Sequence, residues 1–158
     1  MAKYLVLVGL PLAVIVGSLS AVTSGSDKEA IRQTALDYGE GWYEGDAERM
    51  ERALHPDLAK RALMPDPGTG KGKIDHMTAS MLVQATQKGL GTKVSPEERR
   101  TDVTILDVYG NAASVKLQMH DWVDYLHMVK TEGQWKIVNV LWEFTPEAKK
   151  KYGIPAEL

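Results

Sequence analysis

From Thr101 onward the chain alternates apolar and polar residues with a period of two, as half-buried strands do. Val103, Ile105 and Tyr109 take one side of a first strand, Leu106 and Val108 the other, and Gly110-Asn111 can make a tight turn. Ala113, Val115, Leu117 and Met119 follow in phase, and that series ends on a carboxylate, Asp121. Residues 120–123 form a short connection into the strongest pattern in the chain. Two apolar runs, 124–130 and 135–144, flank a short turn containing Gly133, which is a hairpin signal. With Glu132-Gly133 as the turn, Lys130 faces Trp135, Met128 faces Ile137, Leu126 faces Asn139 and Asp124 faces Leu141. The opposite side then holds Val129/Lys136, His127/Val138, Tyr125/Val140 and Val123/Trp142. Both sides carry large apolar residues, so each requires a cover.

Upstream the period changes to that of helices. Ser26-Asp-Lys-Glu29 has the form of a capping box, and Ile31, Ala35, Tyr38 and Trp42 make one apolar stripe behind it. Gly45 stops this helix, and Asp46 caps a shorter one carrying Met50, Ala53 and Leu54. His55-Pro56 reads as a break, with a third helical turn from Asp57 to about Leu63. Residues 64–73 are a Gly/Pro-rich loop. Asp75 or Thr78 then caps a helix with Met77, Met81, Leu82 and Ala85 apolar, ending near Gly89; a polar linker fills 91–100.

At 158 residues this is one domain, and 44% hydrophobic with 25% charged residues is an ordinary globular balance. A net charge of -2, with no basic stripe, gives no electrostatic reason to expect nucleic acid. The absence of cysteine excludes disulfides, thiol catalysis and Fe–S clusters. Residues 1–22 have the form of a signal peptide: Lys3 is the only charge, Tyr4 to Val16 is apolar, and small residues follow. The expected location is therefore secreted or periplasmic, with a membrane anchor over 4–26 as the alternative. The folded domain is expected over 23–148, with 149–158 a solvated tail.

Catalytic signatures are sparse. Gly-Thr-Gly-Lys71 lacks the spacing and the hydroxyl residue of a phosphate-binding loop, and there is no Gly-x-Ser-x-Gly elbow. His55, His76, His120 and His127 have no partner at ligand spacing, so neither a metal nor another cofactor is expected.

The helix ending in residues 37–46, then Met50 to Leu63 with Leu54-His-Pro-Asp57, resembles the nuclear transport factor 2-like superfamily, which has a cystatin-like α+β fold. Residues 124–130 with Gln134 to Asn139 resemble the closing hairpin of its Putative lumazine-binding branch, close to the polyketide-cyclase-like proteins. The resemblance covers about residues 27–146. It implies a strongly curved antiparallel sheet with N-terminal helices packed on its concave face, forming a conical pocket. Ligand-pocket candidates are then Tyr38, Trp42, Asp66, Met77, Met81, Leu126 and Asn139. Asp121 or Asp124, a carboxylate among apolar walls, is the candidate general acid or base. No catalytic residue of the enzymatic relatives carries over. The resemblance also implies a homodimer through the convex face, at Tyr125, Val138, Val140 and Trp142. Three readings follow: an exported module that binds a small planar or apolar molecule; an isomerase, cyclase or dehydratase using a pocket carboxylate; and a dimeric structural or interaction protein without a ligand.

Overall fold

The structure, a computed structural model, describes residues 25–157. The leader expected over 1–22 lies outside the described residues, as does the anchor over 4–26 except for Gly25 and Ser26. Helix α1 (Gly25–Glu44) already contains Ser26, which is therefore not its N-cap. Ile31, Ala35 and Tyr38 of its apolar stripe are buried, and α1 packs across three strands of the sheet, Asp102–Tyr109, Ala112–Gln118 and Gln134–Phe144. Asp46 caps α2 (Ala47–Ala53) by accepting a hydrogen bond from the Arg49 N–H.

The next segment departs from expectation. Residues 54–65 are not a helical turn but a long strand, β1 (Leu54–Pro65). Leu58 and Ala62, four residues apart, share a face in a helix and in a strand alike, so their spacing does not discriminate. What decides is the side chain between them: Lys60 is buried with both, while Asp57, Arg61 and Leu63 are exposed. β1 pairs antiparallel with β2 (Gly72–Thr78) and parallel with the last strand, β6 (Gln134–Phe144). The Gly/Pro-rich stretch thereby shrinks to a turn over 66–71. Asp75 and Met77 lie on β2, and Thr78 is the N-cap of α3 (Ala79–Gln87).

A 3-10 turn at Pro96–Glu98 leads into β3 (Asp102–Tyr109), β4 (Ala112–Gln118), β5 (Trp122–Thr131) and β6 (Gln134–Phe144). The six strands form one curved sheet in the order β2-β1-β6-β5-β4-β3, antiparallel except at β1–β6. Glu132 and Gly133 have φ of 51° and 78°, the two positive values a tight type I′ hairpin turn requires. From the turn to Met128↔Ile137 the pairing is the one the sequence predicts. There a β-bulge inserts Val138, and the next partner of His127 is Asn139.

That single extra residue reverses the facing of the rest of β6. Val140 now pairs with Leu126 and is fully buried, and Trp142 pairs with Asp124 on the concave side. Asn139 and Leu141 turn to the convex face beside His127 and Tyr125. Of the residues expected at a convex dimer surface, Val140 is thus buried and Trp142 is partly buried on the concave side, while Tyr125 is exposed, as is Leu141. Segment 149–158 is no simple tail either, since its first residues belong to α4 (Pro146–Tyr152), capped by Thr145 and closed by Gly153 at φ 66°.

Candidate functional site

Under the turn end of the hairpin the concave face is filled by aliphatic side chains from α1 and the sheet: Ile31, Ala35, Leu126 and Ile137 are each 0% exposed. Toward the other end of α1 the filling changes to aromatics and methionine, and a cavity of about 170 Å³ opens. Tyr38 and Trp42 of α1 and Met50 of α2 form its roof, and Lys60 of β1 and Met77 of β2 one wall. Met119, Trp122, Trp142 and Phe144 from the sheet side complete it. The rings brace one another edge-on, Trp42 to Trp122 at 6.1 Å, Trp122 to Trp142 at 5.9 Å, and Trp142 to Phe144 at 4.8 Å. Gly91 makes room for Trp42, because a Cβ there would overlap its carbonyl oxygen and its indole ring. Phe144 is backed by Tyr152 of α4 at 5.8 Å.

The cavity has one charged lining residue. Lys60 Nζ donates to Tyr38 Oη at 2.7 Å and to Asp124 Oδ1 at 2.7 Å, and the other carboxylate oxygen accepts from Trp122 Nε1 at 3.0 Å. The side chains of Lys60 and Asp124 are 7% and 0% exposed, so this ion pair is dry. Taking two charges out of water costs several kcal/mol each, and the pair persists because each partner meets the other at hydrogen-bond distance. The ammonium also lies 5.1 Å from the centroid of Trp142 and 5.4 Å from that of Tyr38. Burial pulls the Lys60 pKa below the ordinary lysine value, against the opposing pull of Asp124. Burial, followed by the charge of Asp124, raises Tyr38 well above the ordinary phenol value. At neutral pH, Tyr38 is therefore a neutral hydroxyl.

Of the residues proposed from the sequence, Tyr38, Trp42 and Met77 meet at this cavity. Asp124 lies behind Lys60, with both oxygens engaged. The others are elsewhere, for local reasons. Asp66 organises the β1–β2 turn, its Oδ1 accepting from the N–H groups of Gly68 and Thr69. Met81 is 48% exposed on α3, and Leu126 is sealed in the aliphatic core. Asn139, carried outward by the bulge, accepts from Arg61 Nη1 at 3.1 Å and contacts His127 Nδ1 at 3.1 Å. Asp121 holds α4 by accepting from Tyr152 Oη at 2.6 Å. Lys60 has no signal in a helical reading of 57–63. In a strand, Leu58-x-Lys60-x-Ala62 marks it at once as a lysine among inward positions. Among the described residues no three His, Asp or Glu side chains converge as metal ligands.

The sequence profile described as Putative lumazine-binding matches residues 26–143. No curated protein matches the chain. Among solved structures, an NTF2-like protein of unknown function from Shewanella baltica superposes with a TM-score of 0.59 at 22% identity, over 77% of this chain and 95% of its own. Another from Silicibacter pomeroyi gives 0.59 at 15% identity, over 76% and 97% respectively. An NTF2-like protein with a cystatin-like fold from Novosphingobium aromaticivorans gives 0.56 at 14%, over 82% and 88%. At such identities these likenesses concern the fold. The curved sheet under its roof of helices is the NTF2-like, cystatin-like fold of those structures, and the profile match, which spans most of the chain, places this protein in the Putative lumazine-binding family.

Proposed function

We propose that this chain is an exported domain that binds a small, flat, uncharged molecule with a hydrogen-bond acceptor on one edge. The observation that carries this is the cavity itself, walled by aromatic rings and methionines around a single ammonium. An ammonium has three N–H donors, and Lys60 uses two of them on Tyr38 and Asp124. The third is available to a carbonyl oxygen or ring nitrogen placed against Trp142. Asp124 cancels the charge of Lys60 at 2.7 Å, so an anionic ligand gains little from the lysine and meets the repulsion of the carboxylate.

Size narrows the class further. A dry engineered cavity of about 150 Å³ accommodates benzene, so a space of this volume suits one aromatic ring, or two when Met50, Met77 or Met119 shifts. A pteridine-like ring system, as the family name implies, falls within that range and offers several edge acceptors. Export rests on the leader-like residues 1–22. Native mass spectrometry of the protein purified from its source tests both parts. The expected spectrum shows a chain lacking the leader and carrying a small aromatic compound; a ligand-free chain that binds no heterocycle on titration would refute the binding role.

A further inference from the structure

The cavity places a primary amine, a carboxylate and a phenol in direct contact at the edge of a ring-sized apolar space. A noncovalent binder needs only a donor there, and a backbone N–H or a serine would supply one without a buried charge. From this juxtaposition we infer that Lys60 forms a reversible imine with a small aromatic aldehyde or ketone held in the cavity. The inference rests on the binding role proposed above and adds a covalent step to it.

The carbonyl oxygen that accepts the third N–H of Lys60 brings its carbon within reach of the same nitrogen. For attack the nitrogen needs a lone pair. Asp124, in contact at 2.7 Å and 0% exposed, can take the proton. Burial favours that transfer from the lysine side, since it already leaves Lys60 a weaker base than an exposed lysine. The cation–π contacts and the Trp122 N–H favour the ion pair instead, so the charged form is the resting state and the neutral one its minor partner. The amine adds to the carbonyl carbon to form a carbinolamine. Asp124 returns its proton to the departing hydroxyl, with the Tyr38 hydroxyl in position to hydrogen-bond at this centre. Water leaves, and a protonated imine remains beside the restored carboxylate. The balance is ammonium plus carbonyl giving iminium plus one water, with Asp124 unchanged and no oxidant or reductant consumed. Trp142, beneath Nζ at 5.1 Å, stabilises the charge of the imine, and Trp122 and Phe144 line the same space.

The test uses the wild-type chain with benzaldehyde as the carbonyl probe and benzyl alcohol as its non-condensing counterpart. Sodium cyanoborohydride at neutral pH reduces any imine to a stable secondary amine, which intact-mass and peptide analysis then locate. The expected result is a single benzyl adduct on Lys60, formed at least about tenfold faster than on any exposed lysine and suppressed by benzyl alcohol. In Lys60→Arg, which retains a cation for Asp124 but cannot condense, that adduct is absent while slow surface labelling is unchanged. Tryptophan fluorescence of the same samples reports occupancy independently. If benzyl alcohol perturbs the fluorescence and benzaldehyde leaves no preferential adduct on Lys60, the imine is refuted and the binding role stands. If neither molecule perturbs the fluorescence and labelling is uniform over the lysines, both are refuted. Because the mapping is done on the wild-type protein, the result does not depend on any variant folding.

Discussion

The fold uses the same three groups twice, with opposite consequences. Near the closing turn of the hairpin, Asp27 Oδ1 accepts from Lys130 Nζ at 2.6 Å and from Trp135 Nε1 at 3.1 Å. At the cavity, Asp124 accepts from Lys60 Nζ at 2.7 Å and from Trp122 Nε1 at 3.0 Å. Each set is an aspartate held by a lysine and an indole N–H, and each ties a strand to a distant element. Lys130 and Asp27 keep 31% and 22% of their side-chain surface in water, whereas Lys60 and Asp124 keep 7% and none. The solvated set fastens the start of α1 over β5 and β6 at little cost. The dry set puts two charges out of reach of water, where each other, Tyr38 and the Trp122 indole satisfy them, at the edge of the cavity. A natural core does not need such a pair, since apolar residues of similar volume are as good or better for stability. Its position against a ring-sized cavity is the reason to read it as functional.

That contrast is open to direct test. Lys60→Met should destabilise the fold by about 3–5 kcal/mol, because it leaves Asp124 buried without its counter-charge. Lys130→Met should cost only a small fraction of that, since Asp27 can turn to water. Urea unfolding of the two variants measures the difference, and equal losses would dissolve the distinction. Lys60→Met combined with Asp124→Leu should recover most of the loss, while abolishing binding of aromatic probes. Recovery of binding along with stability would show that the pair is structural only.

Tyr38→Phe should cost about 1.5–3 kcal/mol, the range for a hydrogen bond to a charged group, and should change the Lys60 pKa in an NMR titration of its Nζ. The smallest effect belongs to the solvated set and has a definite sign. The hydrogen bond from Lys130, then that from Trp135, holds Asp27 below the ordinary aspartate pKa of 3.8. A folded-state pKa below the unfolded one stabilises above the unfolded value, and the contribution is lost as pH falls through the folded value. The stability gap between wild type and Asp27→Asn should therefore be constant above pH 3.8 and close below it, as followed by thermal unfolding.

Much of this architecture is legible in local chemistry. The Ile31–Tyr38 stripe, the Asp46 and Thr78 caps and the Glu132-Gly133 turn each depend on residues within a few positions of one another. The candidate site is legible in its roof and in one wall residue. Tyr38 and Trp42 follow from helical periodicity, and Met77 from its apolar character. Lys60 does not, because recognising it requires knowing that 54–65 is a strand beside β6, a pairing that spans most of the domain. Trp142 and Asn139 exchanged places for a subtler reason. A bulge leaves the alternating pattern readable on either side of Val138 but changes its phase, and no local propensity announces where an extra residue is inserted.

The sequence by itself therefore determined the class of fold, an apolar strand series under an amphipathic helix, and the presence of aromatics without thiols or metal-ligand spacing. Only the tertiary structure decided which polar residues face inward. A lysine and an aspartate 64 positions apart become a buried pair only when a parallel strand and a bulged one bring them to the same side of the sheet. Burial and partnership are properties of that assembled face, and local sequence does not encode either one.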